Sequence, residues 1–268
     1  MIEITTPTWL WHTERGTGPD VLLIGGLGDS HAAWQAQLDA LSDRYRLIAP
    51  DNRGAGRTPL PPDGVTFPAA ADDAAALLRD LGVESAHVAG FSGGGAIAQE
   101  VALRHPGLVS SLVLVSTWCR PDEYCRRMVR SWITAAATAQ DERELLSAFY
   151  LWIYTRRAHE DGSVDRFVDE VLADQHPQTP EAFVAWAEAS LEHDTADRLG
   201  AIDVPALVIA GDEDIAIPPR FSQEIAARVP DARLVVLPGE AHQPFQESPE
   251  RFNDLVDGFW REVEGRRS

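Results

Sequence analysis

The chain contains 268 residues, and its formal net charge at pH 7 is −19. Such a negatively charged surface repels phosphate backbones and anionic lipid headgroups, so nucleic acids and membranes are disfavoured as partners. All 23 basic residues are arginines, and the lack of lysine excludes Schiff-base chemistry of the aldolase or pyridoxal type.

Hydrophobic residues make up 44 % of the chain, and no apolar stretch approaches the roughly 20 residues that span a bilayer. The N-terminal segment lacks a basic start followed by an apolar run, so we expect no signal peptide and a cytoplasmic protein. The two cysteines, Cys119 and Cys125, have no zinc-site spacing and no matching second pair. We therefore expect two reduced thiols and no zinc site at these cysteines.

Short apolar runs alternate with amphipathic stretches, which predicts an α/β fold with a mainly parallel sheet and helices on both faces. Several runs are nearly continuous in Val, Ile and Leu, as is typical of strands covered on both faces. The segment Thr8–Glu14 alternates less regularly and is interpreted as a candidate antiparallel edge strand. The other predicted strands are Val21–Ile24, Tyr45–Ala49, Ala86–Phe91, Leu112–Ser116, Ala206–Ala210 and Arg233–Leu237.

Helical patterns lie between these strands. Two of them begin at Pro68 and Pro249, and proline is tolerated in the first turn of a helix. The predicted helices outside the insertion described next are His31–Leu41, Pro68–Leu81, Gly93–His105, Arg220–Arg228 and Pro249–Val263.

One long segment, Arg120–Leu199, interrupts the alternation because it contains no convincing strand. It lies between two core strands, so we predict a helical cap at 120–199 inserted into an α/β core formed by 1–119 and 200–268. Helices are predicted in the cap at Glu123–Ala139, Glu142–Arg157, Val164–Ala173 and Pro180–His193.

The strongest functional motif is the G-x-S-x-G sequence centred on Ser92, between a predicted strand and a predicted helix. A nucleophile elbow needs this arrangement, because a sharp turn flanked by small residues lifts the serine hydroxyl above the sheet edge. A glycine-rich turn that only reverses the chain is the structural alternative. The strand–turn–helix context favours Ser92 as a nucleophile.

A second glycine-rich segment, 25–28, directly follows the strand Val21–Ile24. An oxyanion hole needs two backbone N–H groups, of which one follows the nucleophile. We predict that Leu27 and Gly93 supply them. A flexible glycine turn is the alternative interpretation of 25–28.

The acid and the base of a serine hydrolase of this kind follow the serine in chain order. The loop after the strand Ala206–Ala210 offers Asp212 and Asp214, and we favour Asp214 because it lies deeper in the loop beside an apolar pair. His242, in the loop before the last helix, is the predicted general base. No histidine pair has metal-ligand spacing; His31 could approach the site, and His193 is expected at the surface.

With these residues identified, the chain resembles the α/β-hydrolase superfamily over nearly its whole length. The segment 50–58 (PDNRGAGRT) is similar to the turn D-x-R-G-x-G-x-S of that family, and 239–252 (GEAHQPFQESPERF) is similar to its histidine loop. The greatest similarity is to hydrolases of the 3-oxoadipate enol-lactonase type. Gly25 and Gly93 depart from that pattern, which often has His and a bulky Met or Gln at these positions.

The resemblance implies a mainly parallel eight-stranded sheet, a helical cap and hydrolysis of a small, largely hydrophobic ester or lactone through an acyl-enzyme. It implies no metal or other cofactor. The same catalytic residues also serve carbon–carbon bond hydrolases of diketones and biosynthetic cyclases or thioesterases, so these activities stay open. A ligand-sensing module on a retained hydrolase fold is the alternative from a different functional class. The sequence is compatible with a homodimer but does not decide the oligomeric state.

Aromatic residues near the nucleophile and in the cap indicate an apolar substrate pocket. We assign Phe91, Trp118 and Trp152 to it, while packing of the cap helices against the core is the alternative for each tryptophan. The arginines at 126, 127 and 130 could pair with a substrate carboxylate, although a solvated helix face explains them equally well.

Overall fold

The computed structural model describes residues 9–267, which contain a seven-stranded sheet with the order β1-β3-β2-β4-β5-β6-β7. Only β1 is antiparallel, to β3, and every other pairing is parallel. The predicted α/β fold is confirmed, with seven strands in the described residues where eight were expected. An antiparallel edge strand is present, but it covers His12–Arg15 where Thr8–Glu14 was predicted, and Thr8 lies outside the described residues. The strands are β1 His12–Arg15, β2 Asp20–Ile24, β3 Arg46–Pro50, β4 Ala86–Phe91, β5 Val109–Val115, β6 Ala206–Gly211 and β7 Ala232–Leu237.

Alternate residues of each strand face opposite sides of the sheet, and the strands β2 to β6 are buried almost entirely on both sides. In β2, Leu22 and Ile24 pack with residues of the helices Phe67–Asp80 and Gly93–Arg104, whereas Val21 and Leu23 pack with residues of the helices Gln35–Leu41 and Pro249–Arg267. The helices of the core are α1 Gln35–Leu41, preceded by a 3₁₀ turn, α2 Phe67–Asp80, α3 Gly93–Arg104, α9 Pro219–Arg228, α10 Pro244–Glu247 and α11 Pro249–Arg267.

Five helices occupy the segment between β5 and β6. They are α4 Glu123–Thr138, α5 Glu142–Tyr150, α6 Arg156–Glu160, α7 Ser163–Leu172 and α8 Pro180–Glu192. The single helix predicted over Glu142–Arg157 is wrong, because α5 ends at Tyr150 and Thr155 caps a separate helix by accepting the N–H of Ala158 at 3.1 Å. The division into core and cap domains stays a prediction.

Several hydrogen bonds join the inserted segment to the edge of the sheet at which the parallel strands end, and two of them are accepted by backbone carbonyls. The indole of Trp186 donates to the carbonyl of Arg53 at 2.8 Å, and the N–H of His242 donates to the carbonyl of Ile153 at 3.0 Å. The insertion therefore lies over the loops that follow the strands. Within residues 9–267, no helix combines the length and the apolar character that crossing a membrane requires.

Candidate active site

Ser92 lies in a strained turn between β4 and α3. Its backbone has φ +50° and ψ −117°, a region that residues with side chains rarely adopt. The N–H of Ser92 donates to Val115 O at 2.9 Å, and the Thr117 hydroxyl donates to Ser92 O at 2.7 Å. A Cβ atom on Gly94 would lie 2.2 Å from Ile24 O. The turn therefore requires glycine at 94 and holds the Ser92 hydroxyl above the sheet edge.

His242 connects the serine to an acid. Its Nε2 lies 3.0 Å from Ser92 Oγ, and its Nδ1 lies 2.8 Å from Asp214 Oδ2. Only 2 % of His242 is exposed, and the ring packs edge-on against Phe91 with centroids 4.9 Å apart. A neutral imidazole held in this way can accept the proton of the hydroxyl while the carboxylate fixes its tautomer.

The two candidate acids of the β6 loop have different partners. Asp214 is 3 % exposed, and its second oxygen accepts the N–H of Ile217 at 2.8 Å, which orients the carboxylate toward the imidazole. Asp212 is exposed and accepts the N–H of Gly239 at 2.7 Å, so it braces the loop that carries His242 without touching the ring. The geometry therefore brings Asp214, and not Asp212, to the histidine.

The two predicted oxyanion donors are neighbours. A Cβ atom on Gly93 would lie 3.7 Å from Leu27 N. Within the described part of the chain, neither N–H group has a hydrogen-bond partner, so both are available to a ligand. The Leu27 loop is held by Asn52, which donates to Gly25 O at 2.9 Å, and by Asp29, which accepts the N–H of Gly26 at 2.8 Å.

The turn at 50–58 has a structural role beside this loop. Asp51 accepts the N–H of His31 at 2.7 Å and the N–H of Arg57 at 2.9 Å, and it lies 2.8 Å from His31 Nδ1. A Cβ atom on Gly56 would lie 2.2 Å from the same carboxylate, at a φ of +51°. His31 is thus bound to Asp51 and does not contact the triad.

A cavity of about 410 Å³ adjoins the site through Leu27 and Gln243, the residue after the histidine. Its wall is mainly apolar and comes from the glycine loop and from the inserted helices. The lining residues are Leu27, Gly28, Asp29, Ala136, Ala139, Asp141, Glu142, Leu145, Leu146, Phe149, Tyr150, Val171, Pro177, Gln178, Thr179, Pro180, Phe183 and Gln243.

The three residues assigned to the pocket from sequence lie outside this lining. Phe91 packs against His242 and Phe245, with ring centroids 4.9 Å apart in both pairs. Trp118 is buried edge-on against Phe67, and Trp152 packs against the core cluster. None of these three side chains therefore lines the cavity.

The arginines at 126, 127 and 130 also lie outside the lining. Arg126 donates to Leu191 O at 2.6 Å, and Arg127 pairs with Glu123 one helical turn away at 2.9 Å. Arg130 is exposed. None of these guanidinium groups therefore faces the cavity.

Two titratable residues differ from their expected roles. His193, expected at the surface, is 5 % exposed and packs against Phe67 with centroids 4.7 Å apart. Burial lowers the pKa of His193 to about 4, so the ring is neutral at pH 7. The sequence analysis did not identify Asp29 as a cavity residue. Desolvation raises the pKa of its carboxyl to about 6, although the hydrogen bond from the Gly26 N–H and the charge of His242 act to lower it.

The described residues contain no group of three or more side chains suited to hold a metal ion. Cys119 and Cys125 are free and buried, and desolvation raises the pKa of Cys119 to about 11 and that of Cys125 to about 12. Both thiols therefore remain protonated at neutral pH.

The chain is similar to known hydrolases over nearly its whole length. The profile of the family described as alpha/beta hydrolase fold matches residues 19–249. A relative from Azorhizobium caulinodans named "Putative carbamate hydrolase RutD" is 32 % identical over 259 residues, covering 95 % of this chain and 96 % of the relative.

Two solved structures match with a TM-score of 0.85. The thermophilic esterase from Thermogutta terrifontis is 28 % identical, with 98 % of each chain covered. The enol-lactonase from Burkholderia xenovorans LB400 is 25 % identical, with 94 % of this chain and 96 % of that chain covered. The matched sequence profile and the shared architecture show that this chain belongs to the alpha/beta hydrolase fold family.

Proposed function

We propose that the protein is a serine hydrolase that cleaves a small ester or lactone through an acyl-enzyme. The observation that carries the proposal is the continuous contact from Asp214 through His242 to Ser92, with distances of 2.8 and 3.0 Å. A buried carboxylate, an imidazole and a hydroxyl in this order form the proton path of nucleophilic catalysis.

In the proposed mechanism, Ser92 Oγ attacks the substrate carbonyl as its proton moves to Nε2 of His242. The oxyanion accepts hydrogen bonds from the N–H groups of Leu27 and Gly93. The carbon–oxygen bond then breaks, the leaving oxygen takes the proton from His242, and the acyl group stays on Ser92. Water attacks the acyl-enzyme with His242 as base, which releases the acid and restores the hydroxyl.

Two further features support this proposal. The cavity of about 410 Å³ is mainly apolar and reaches Leu27, so a small hydrophobic acyl or alcohol moiety fits beside the nucleophile. The structural neighbours include an esterase and an enol-lactonase. Because a relative is named as a carbamate hydrolase, carbamate esters belong in the same test.

The test compares hydrolysis of p-nitrophenyl esters, lactones and carbamate esters by the unmodified protein and by Ser92→Ala. We expect Ser92→Ala to lower kcat by several orders of magnitude and to abolish labelling by a fluorophosphonate probe. Ser42→Ala, at the end of α1, is the matched control. Turnover that survives Ser92→Ala would refute the proposal, and ligand binding without any turnover would favour the sensing module.

A further inference from the structure

A second, smaller cavity adjoins the first one. It measures about 140 Å³, and the two cavities share a wall formed by Gly28, Asp29, Tyr150, Val171, Pro177 and Gln178. Asp29 and Tyr150 therefore face both spaces. Asp29 Oδ2 accepts the Gly26 N–H, and within residues 9–267 no cation pairs with this carboxylate. The wall shared by the two cavities therefore carries a carboxylate that no arginine of the described residues neutralises.

The charged residues along both cavities are strongly unbalanced in sign. Five carboxylates line them, of which Asp29 alone is not exposed, and no arginine lines them in the described part of the chain. A cleft with charges of one sign and low-dielectric walls focuses the potential toward its interior. The lining carboxylates are Asp29, Asp141, Glu142, Glu170 and Asp174.

Where the larger cavity reaches the residue after His242, one side-chain oxygen has no hydrogen-bond partner among the described residues. Gln243 is 6 % exposed, follows His242 directly, and its side-chain oxygen makes no hydrogen bond to any described residue. Gln178, in the shared wall, has a buried side-chain oxygen in the same situation. Buried polar atoms are nearly always paired, so these two amides point to a ligand with polar groups.

Aromatic rings surround the shared wall. Tyr150 lies 6.0 Å from Phe149 and 5.0 Å from Tyr154, measured between ring centroids. Phe149 lines the larger cavity and Tyr154 the smaller one. Desolvation and the nearby charge of Asp29 raise the pKa of Tyr150 above its usual range, so its ring stays neutral. Aromatic faces beside a carboxylate attract organic cations.

We propose that the substrate of this hydrolase carries a positively charged ammonium group, which binds between the Asp29 carboxylate and the Tyr150 ring. This inference rests on the proposed function and specifies the substrate class of the same site. The ammonium group would neutralise Asp29, and the apolar wall would hold the rest of the molecule. A substrate with a free carboxylate would instead meet the like charge of Asp29 in the shared wall.

Binding without turnover tests this specificity. Calorimetry with Ser92→Ala compares acylcholines from acetyl to hexanoyl with the neutral 3,3-dimethylbutyl esters of the same acids, which have the same shape. A second series carries the trimethylammonium or tert-butyl group on the acyl side, and hemisuccinate esters serve as anionic probes. We expect the cationic ligands to bind roughly tenfold more tightly than their neutral partners, and the anionic ones more weakly.

Substitutions at the shared wall locate the effect. Asp29→Asn keeps an acceptor for the Gly26 N–H but removes the charge, and should reduce the preference for the cation to near unity. Tyr150→Leu tests the ring independently and should lower the same preference several-fold. Asp43→Asn removes an exposed carboxylate at the opposite end of the strands and controls for net charge.

The inference is overturned if no cationic ligand binds more tightly than its neutral partner, or if neither substitution at the wall changes the preference. Turnover of the same esters by the unmodified protein reports separately on the proposed function. If the unmodified protein hydrolyses none of these esters but the cationic ligands still bind more tightly, the proposed mechanism is refuted and the inference about the cation is not. If the esters are hydrolysed but the cationic ligands bind no more tightly than the neutral ones, the inference about the substrate class is refuted and the proposed mechanism is not.

Discussion

The backbone N–H of His242 donates a hydrogen bond to the carbonyl of Ile153 at 3.0 Å. The histidine loop is therefore attached to the inserted segment, between α5 and α6, as well as to Asp214. The same contact surface continues beyond His242, where Tyr154 donates to the side chain of Gln246 at 2.7 Å and Thr155 donates to Glu247. Packing of the insertion thus helps to set the position of the imidazole.

Removing the Thr155 hydroxyl should disturb both stability and catalysis. Thr155→Val deletes the bond to Glu247 and the cap of α6, so we expect a loss of about 2 kcal/mol in the free energy of unfolding. A shift of the histidine loop should also lower kcat roughly tenfold. Thr134→Val is the matched control, because that exposed hydroxyl bonds a carbonyl within its own helix. Equal effects of the two substitutions would contradict the coupling.

The choice between the two acids of the β6 loop can be tested by isosteric substitution. Asp214→Asn removes the negative charge beside Nδ1 and favours the wrong tautomer, so kcat should fall by about 10⁴. Asp212→Asn retains an acceptor for the Gly239 N–H and should lower kcat by less than about tenfold. Ester hydrolysis under saturating substrate measures both. A larger effect at 212 than at 214 would reverse the assignment of the acid.

Adjacent glycines of the elbow should respond differently to the same substitution. A Cβ atom at Gly94 would lie 2.2 Å from Ile24 O and 2.5 Å from Gly25 O, which are backbone atoms that cannot move aside cheaply. At Gly93 the nearest atom would be 3.7 Å away. We expect Gly94→Ala to lower the free energy of unfolding by about 2 kcal/mol or more, and Gly93→Ala to change it by about 0.5 kcal/mol or less. Urea denaturation measures both, and similar losses would contradict the geometry.

The contacts among Ser92, Asp214 and His242 could be anticipated because each residue follows a strand of one parallel sheet. The carboxyl ends of such strands meet at one edge, so the G-x-S-x-G motif, the chain order and the apolar runs together predicted that the three residues would be neighbours. The preference for Asp214 over Asp212 also followed from the apolar residues beside it. Local patterns thus indicated this arrangement even though the residues are far apart in sequence.

The cavity could not be predicted in the same way. Its walls come from inserted helices whose orientation depends on tertiary packing, and amphipathic helices can present an aromatic residue either to a cavity or to the core. Trp118 and Trp152 pack against the core, whereas Tyr150 and Phe149 line the cavity. His193 was expected at the surface for the same reason, because the sequence does not reveal that Phe67 and Trp118 cover it.

The free energy of unfolding should depend on pH through the ionisation of Asp29. Its carboxyl has a pKa raised from 3.8 to about 6, chiefly by desolvation, so the folded state binds more protons than the unfolded state between these pH values. The free energy of unfolding should therefore fall as pH rises through this window, because the unfolded state binds fewer protons at this carboxyl than the folded state does. The charged and titratable groups that interact with Asp29 are His242, Tyr150 and Tyr154.

Asp29→Asn removes this ionisation while keeping the acceptor for Gly26. Relative to the unmodified protein, the variant should gain stability as pH rises from 3.8 to about 6 and then keep a constant advantage. Urea denaturation across this range measures the difference, with Asp43→Asn as the control for net charge. A saturating ammonium ligand should reduce the advantage of Asp29→Asn above the window, because the bound cation stabilises the ionised carboxylate. A stability difference that does not change with pH would mean that Asp29 ionises in the folded protein as it does in the unfolded chain.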